Sequence, residues 1–212
     1  MDGRPKSTII AYTRSVRDLM EGLGKVPLDC SDEAVIAHLN HYRDEHDLGS
    51  STINARICGL RYLYHRVYKE QGRKLVIPNP KRIKQIGEVL TESEINLLLQ
   101  ACHYPRQSAI LHLLYDTGLR AREVAHLRLQ DFDKANGVLY VRYGKGGKHR
   151  VVPYGLAVTD ALKTYFLIEK PSDWLFEGST KGEPASVKSI QYAVREAHKR
   201  APIRKAVHPH TL

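Results

Sequence analysis

Cysteine is scarce in this chain, and what there is stands apart: Cys30, Cys58 and Cys102 are odd in number and widely spaced. That pattern argues against a disulfide framework and against a zinc cluster, and the three read as small buried apolar residues of a reducing compartment. No uninterrupted apolar run is long enough to span a bilayer, and the basic, polar start "MDGRPKST" lacks the apolar centre of a secretory signal. A cytoplasmic setting without a membrane partner is the expectation. Acidic residues are in the minority, 23 against 33 Lys and Arg, so the net charge is +10. Such an excess points to a polyanionic partner, duplex DNA or RNA first. A soluble basic protein with no such partner would carry the same charge.

The 212 residues suit one large domain or two small ones. In the first half, Ile9, Tyr12, Val16, Leu19 and Leu23 repeat at helical spacing, and the glycines of "GLG" (22–24) supply a stop. A second helix starts at "SDE", where Ser31 can cap and Asp32 and Glu33 suit the positive end of the helix dipole; Val35, Ile36, Leu39 and Tyr42 face inward. A third starts at "SST" (50–52) and buries Ile53, Ile57, Leu60, Tyr64 and Val67. It also carries Arg56, Arg61, Arg66, Lys69, Arg73 and Lys74 with only Glu70 opposing them. That face could follow a phosphate backbone, or simply be solvated. The two prolines of "VIPNPKRIKQIGEVL" (76–90) forbid a continuous helix and mark an interdomain connection. Before Leu90 there are 15 basic and 11 acidic residues, and from Leu90 onward 18 and 12, so both halves are basic.

The second half opens on "TESEINLLL", where Thr91 and Glu94 have the spacing of a capping box. Another helix follows Pro105, with Ile110, Leu113 and Leu114 inward. It meets "YDTGLRAREVAHLRLQDF", in which Gly118 can take the left-handed conformation that ends a helix and Arg120 opens the next one. This corner, with free backbone amides expected close by, suits an anionic oxygen. After Asn136 and Gly137, "VLYVRY" alternates as a strand, "GKGGK" turns, and "HRVVP" returns. Lys145 lies in the tip with Lys148 and Arg150 beside it; a glycine-rich tip with lysine can approach a phosphate closely, although exposed tips often have this composition anyway.

Taken together, "TGLRAREVAHLRLQDFD", "GVLYVRYGKGGKHRVVPYG" and the final "HPHTL" resemble the tyrosine recombinases, or phage-type integrases, in their Xer-like branch. The resemblance covers nearly the whole chain. It implies a fold that is mainly α with a small antiparallel β-sheet: a helical SAM-like core-binding domain over residues 1–80, a linker over 81–90, and a catalytic domain over 91–212. It implies metal-independent and cofactor-free breaking and rejoining of double-stranded DNA through a 3′-phosphotyrosyl intermediate. Arg120 matches the family's first phosphate-holding arginine, Lys145 its general acid and His210 the histidine of its His-x-x-Arg motif; Glu123 matches an acidic position that supports the site. Arg56, Arg61, Lys69, Lys148 and Arg150 are expected at DNA phosphates, in a clamp formed by the two domains.

The same resemblance puts the second arginine directly after Leu212 and the nucleophilic tyrosine later still, while none of the 12 tyrosines follows His210. The expectation is therefore a catalytic domain incomplete at its C-terminus, a piece of a longer enzyme that binds DNA without cutting it. The family assembles as a tetramer on DNA; these 212 residues are expected as a monomer. A naturally short, non-catalytic DNA-binding relative explains the same residues. His208 and His210 as ligands of a metal-dependent phosphodiesterase are a weaker third reading, because no third ligand is evident.

Overall fold

The glycine after Leu23 stops the first helix as the sequence suggests. In the computed structural model, which describes residues 3–78, 88–142, 149–180 and 182–212, α1 (Lys6–Leu23) closes on Gly24, whose φ of 61° lets its amide bond Met20 O. The chain divides into two units, Met1–Gln85 and Ile86–Leu212, each with its own apolar core.

In the first unit, Ser31 caps α2 (Asp32–Glu45) by accepting the Ala34 amide at 3.1 Å. The third helix, α3 (Ser50–Tyr62), crosses α1 at Gly59, where a β-carbon would stand 3.1 Å from the Tyr12 backbone. Glycine is needed here so that the two backbones can approach. Leu19, Val35, Leu39, Ile57, Leu60 and Tyr64 fill the core, and the Tyr64 hydroxyl donates to Pro27 O.

Ile9, the first of the helically spaced apolar residues of α1, is exposed, and one inward assignment fails. Val67 is 57% exposed, because α3 continues into a π-turn (Leu63–Val67) in which the Tyr68 amide bonds Leu63 O at 2.9 Å. The extra residue in that turn carries the inward stripe one position along, so Tyr68 packs on the core where Val67 was expected.

The basic stripe also divides. Arg56 is only 12% exposed, ion-paired with Asp18 and stacked 3.9 Å from the Tyr42 ring centre. Arg61 donates to Ile77 O, and Arg73 to Cys30 O and Asp32. Arg66, Lys69 and Lys74 remain on the outside. Arg56 and Arg61, expected at DNA phosphates, thus have internal acceptors for their guanidinium groups.

In the second unit the Thr91 capping box forms in full, with the Thr91 amide 2.8 Å from Glu94 Oε2 and the Glu94 amide 3.3 Å from Thr91 Oγ1, ahead of α4 (Glu92–Gln100). Next come α5 (Pro105–Thr117) and the short α6 (Ala121–Ala125). Strands β1 (Phe132–Asp133), β2 (Val138–Val141) and β3 (Arg150–Pro153) form an antiparallel sheet in the order β1-β2-β3, with Leu139 opposite Val152 and Val141 opposite Arg150. The two-residue β1 carries too little alternation to be read from sequence. Helices α7 (Leu156–Glu169) and α8 (Val187–Arg200) complete the unit and pack on α5.

The fold is mainly α with a small antiparallel β-sheet. At the far end of the expected 81–90 linker, Leu90 is buried in the second core, Val89 O accepts Lys205 Nζ, and Glu88 accepts the Ala206 amide. Residues 79–87 lie outside the described residues. Among the described residues no helix is long and apolar enough to cross a membrane.

Losing Arg56 would strand the Asp18 carboxylate. Arg56→Ala should lower the stability of the helical first unit by about 3 kcal/mol, the cost typical of breaking a largely buried pair. Far-UV circular dichroism on heating should show this as an earlier helical transition, while fluorescence of the single tryptophan, Trp174 in the second unit, keeps its midpoint.

Candidate phosphate-binding site

The site starts from a sharp corner. Gly118, at φ 59°, ends α5; Leu119 drops into the core; and Arg120 takes an extended conformation as the residue that precedes α6. Three residues on, the Glu123 carboxylate turns back over the corner. It accepts the Arg120 amide at Oε2 (2.9 Å) and Arg120 Nη1 at Oε1 (3.1 Å). It also receives Arg150 as a fork, Nη1 to Oε1 and Nη2 to Oε2, both at 2.8 Å. The amide of Arg120, at the corner where free backbone amides were expected close by, is therefore occupied.

The Glu123 side chain is 2% exposed. Burial alone would push its carboxyl pKa upward, but hydrogen bonds from Arg150 and Arg120 outweigh it and hold the group at about 2. The reciprocal bond to Glu123 raises the Arg150 pKa. With its carboxylate saturated, the corner presents the rest of Arg120, half exposed, to a cavity of about 450 Å³ lined by Leu114, Gly118, Leu119, Arg120, Arg150, Pro209, His210 and Leu212.

His210 is delivered by a turn in which the His208 amide donates to Thr211 Oγ1 (3.1 Å) and the Thr211 amide to His208 O (2.9 Å). Val207 and Leu212 pack against the core on either side of it. The His208 and His210 rings stand 6.3 Å apart, and among the described residues no group of three His, Cys, Asp or Glu could hold a metal ion. A larger cavity, about 810 Å³, lies in the same unit and combines Leu129, Phe132, Leu156, Leu162 and Phe166 with Tyr154, Lys134, Lys163 and Lys170. Among the described residues its lining holds no arginine or histidine, whereas the smaller cavity brings both residue types together.

Arg120 pairs with Glu123, and Arg120 and His210 line the same cavity. Arg150, expected at DNA beside the hairpin tip, is tied to Glu123. The signal for this was present in "HRVVP": a period of two sets Arg150 with Val152, away from the exposed Val151, and across from the buried Val141. Lys145 and Lys148 lie outside the described residues. Two guanidinium groups and an imidazole around one small cavity, with the Glu123 carboxylate fully hydrogen-bonded, suit an anion of phosphate size.

The fold is that of integrases: it superposes on a lambda integrase dimer bound to a COC′ core site with a TM-score of 0.79, covering 99% of this chain and 80% of that one at 19% identity. Residues 88–212 match the phage integrase family and residues 1–73 the phage integrase N-terminal SAM-like domain, and the chain belongs to this family. Among its curated relatives are tyrosine recombinases of Thermosipho africanus (31% identical, covering 98% of this chain and 76% of the relative) and Pseudothermotoga lettingae (30%, 97% and 74%).

Because Glu123 is held at about 2 in the fold against its ordinary 4.5, its charge stabilises the second unit at neutral pH. That contribution is lost progressively as pH falls from 4.5 towards 2. Urea midpoints followed by Trp174 fluorescence should drop across this window in the wild type. In Glu123→Gln the midpoint should be lower at neutral pH and should fall less on acidification.

Proposed function

We propose that the chain binds duplex DNA and that its second unit holds one phosphodiester in the Arg120, Arg150 and His210 cavity, as part of a site-specific recombinase or integrase that breaks and rejoins DNA strands through a 3′-phosphotyrosyl intermediate. The observation that carries this reading is the convergence of Arg120 and His210 on one cavity, beside a Glu123 carboxylate already saturated by Arg150 and Arg120. In a pentacovalent transition state, negative charge grows on the non-bridging oxygens. Arg120 would hold one of them, and His210 would hydrogen-bond the phosphate and assist proton movement. Lys145 is the proposed general acid for the departing 5′ oxygen. Arg150 acts through Glu123, keeping the carboxylate and hence Arg120 in place.

The nucleophile is the part these 212 residues do not offer. None of the 12 tyrosines follows His210, and among the described residues no tyrosine lines the cavity; Tyr165 is buried with its hydroxyl on Leu175 O. The chain as it stands is proposed to bind DNA as a monomer in the bacterial cytoplasm without becoming covalently attached, whereas a family member with the complete active site would assemble as a tetramer on DNA. A non-catalytic DNA-binding relative remains the second reading, favoured by the same absence of a tyrosine at the cavity.

The test uses a nicked suicide duplex. Binding should weaken on the order of a thousandfold between about 50 and about 200 mM salt, as expected for several phosphate contacts, and no SDS-resistant adduct should form. An adduct would overturn the assignment of a missing nucleophile, and salt-insensitive or absent binding would overturn the DNA reading.

A further inference from the structure

Arg142 stands where β2 ends, at the base of the hairpin, and its environment differs from that of Arg150. Its Nε lies 2.6 Å from Asp131 Oδ1. Asp131 is 1% exposed, and its second oxygen accepts the Arg128 amide at 2.9 Å, so the carboxylate is fixed from two directions and cannot swing with the arginine. Arg142 itself is 51% exposed, and its two terminal nitrogens have no partner among the described residues. A guanidinium pinned through Nε keeps its plane fixed while Nη1 and Nη2 project outward as a fork. Arg150 has both terminal nitrogens on Glu123. Of the two arginines flanking the hairpin, only Arg142 offers a pre-oriented pair of donors to solvent.

We propose that Arg142 contacts a backbone phosphate of bound duplex DNA through Nη1 and Nη2, with Asp131 as its positioning residue; this rests on the chain binding DNA as proposed above. Neutralising the buried Asp131 requires only a cation close to it, which a lysine could supply. A phosphate contact requires the fork, because it matches two phosphate oxygens at once and little side-chain freedom remains to be lost on binding. The contact reads no sequence, since phosphates are alike along the duplex.

Fluorescence anisotropy with two duplexes of unrelated sequence, titrated across salt concentrations, tests this with Arg142→Gln and Arg142→Lys. Arg142→Gln should bind both duplexes about tenfold more weakly, and its log affinity against log salt should be shallower by about one. Arg142→Lys keeps the charge and the Asp131 pairing, so its slope should match the wild type while affinity falls about threefold for loss of the fork. Trp174 fluorescence reports whether each variant is folded; should Arg142→Gln unfold, Arg142→Lys carries the decision, and wild-type affinity in that variant overturns the contact. Steeply salt-dependent binding by the wild type that Arg142→Gln leaves unchanged overturns this contact alone. Absence of such binding in the wild type overturns the DNA reading and the contact with it.

Discussion

One buried carboxylate organises the second unit's corner. Glu123 sits on a five-residue helix too short to be stable by itself, and its bonds to the Arg120 amide and side chain close that helix at its start. Its other contacts reach 27 residues along the chain to Arg150, tying the helix to the last strand of the sheet. Without the carboxylate, two guanidinium groups would face the same small cavity unscreened. The surrounding elements can be understood as what brings the three charges together: the left-handed Gly118, the buried Leu119, and the register that sets Arg150 opposite Val141.

The same device recurs in both units. Asp18 takes Arg56, Asp32 takes Arg73, and Asp131 takes Arg142. In a chain with net charge +10, which cations remain available to a polyanion is decided by where the fewer acids are buried. Net charge therefore argues for a class of partner but says little about which side chains touch it. An arginine held through both terminal nitrogens, as Arg150 is, has become part of the scaffold. One held through Nε alone has been oriented.

Local chemistry was legible in the sequence. Ser31, the Thr91 and Glu94 pair, Gly24 and Gly118 act within four or five residues, and each does what its type and position suggest. Core positions followed the helical period until the π-turn added a residue that no spacing rule announces, and Val67 gave way to Tyr68. At the site, the corner at Gly118 and Arg120 was legible from residue types, whereas Glu123, one turn beyond, entered through the family resemblance. The Arg56 and Asp18 pair spans 38 residues and Arg150 with Glu123 spans 27; such pairings depend on how helices and strands pack, which a one-dimensional period does not encode. The resemblance to a family supplied roles for Arg120 and His210, but not the partner of Arg150.

Counting donors sets what the cavity can do. Each guanidinium carries five N–H donors. Arg150 commits two of them to Glu123 and Arg120 one, so Arg120 and the imidazole of His210 are the less engaged groups at the cavity. Under the proposed reading they would orient a phosphodiester. Stabilising the transition state more than the ground state demands donors that come into contact as charge develops. The Glu123 carboxylate does not compete for such donors, because its two oxygens already accept four N–H groups of Arg120 and Arg150.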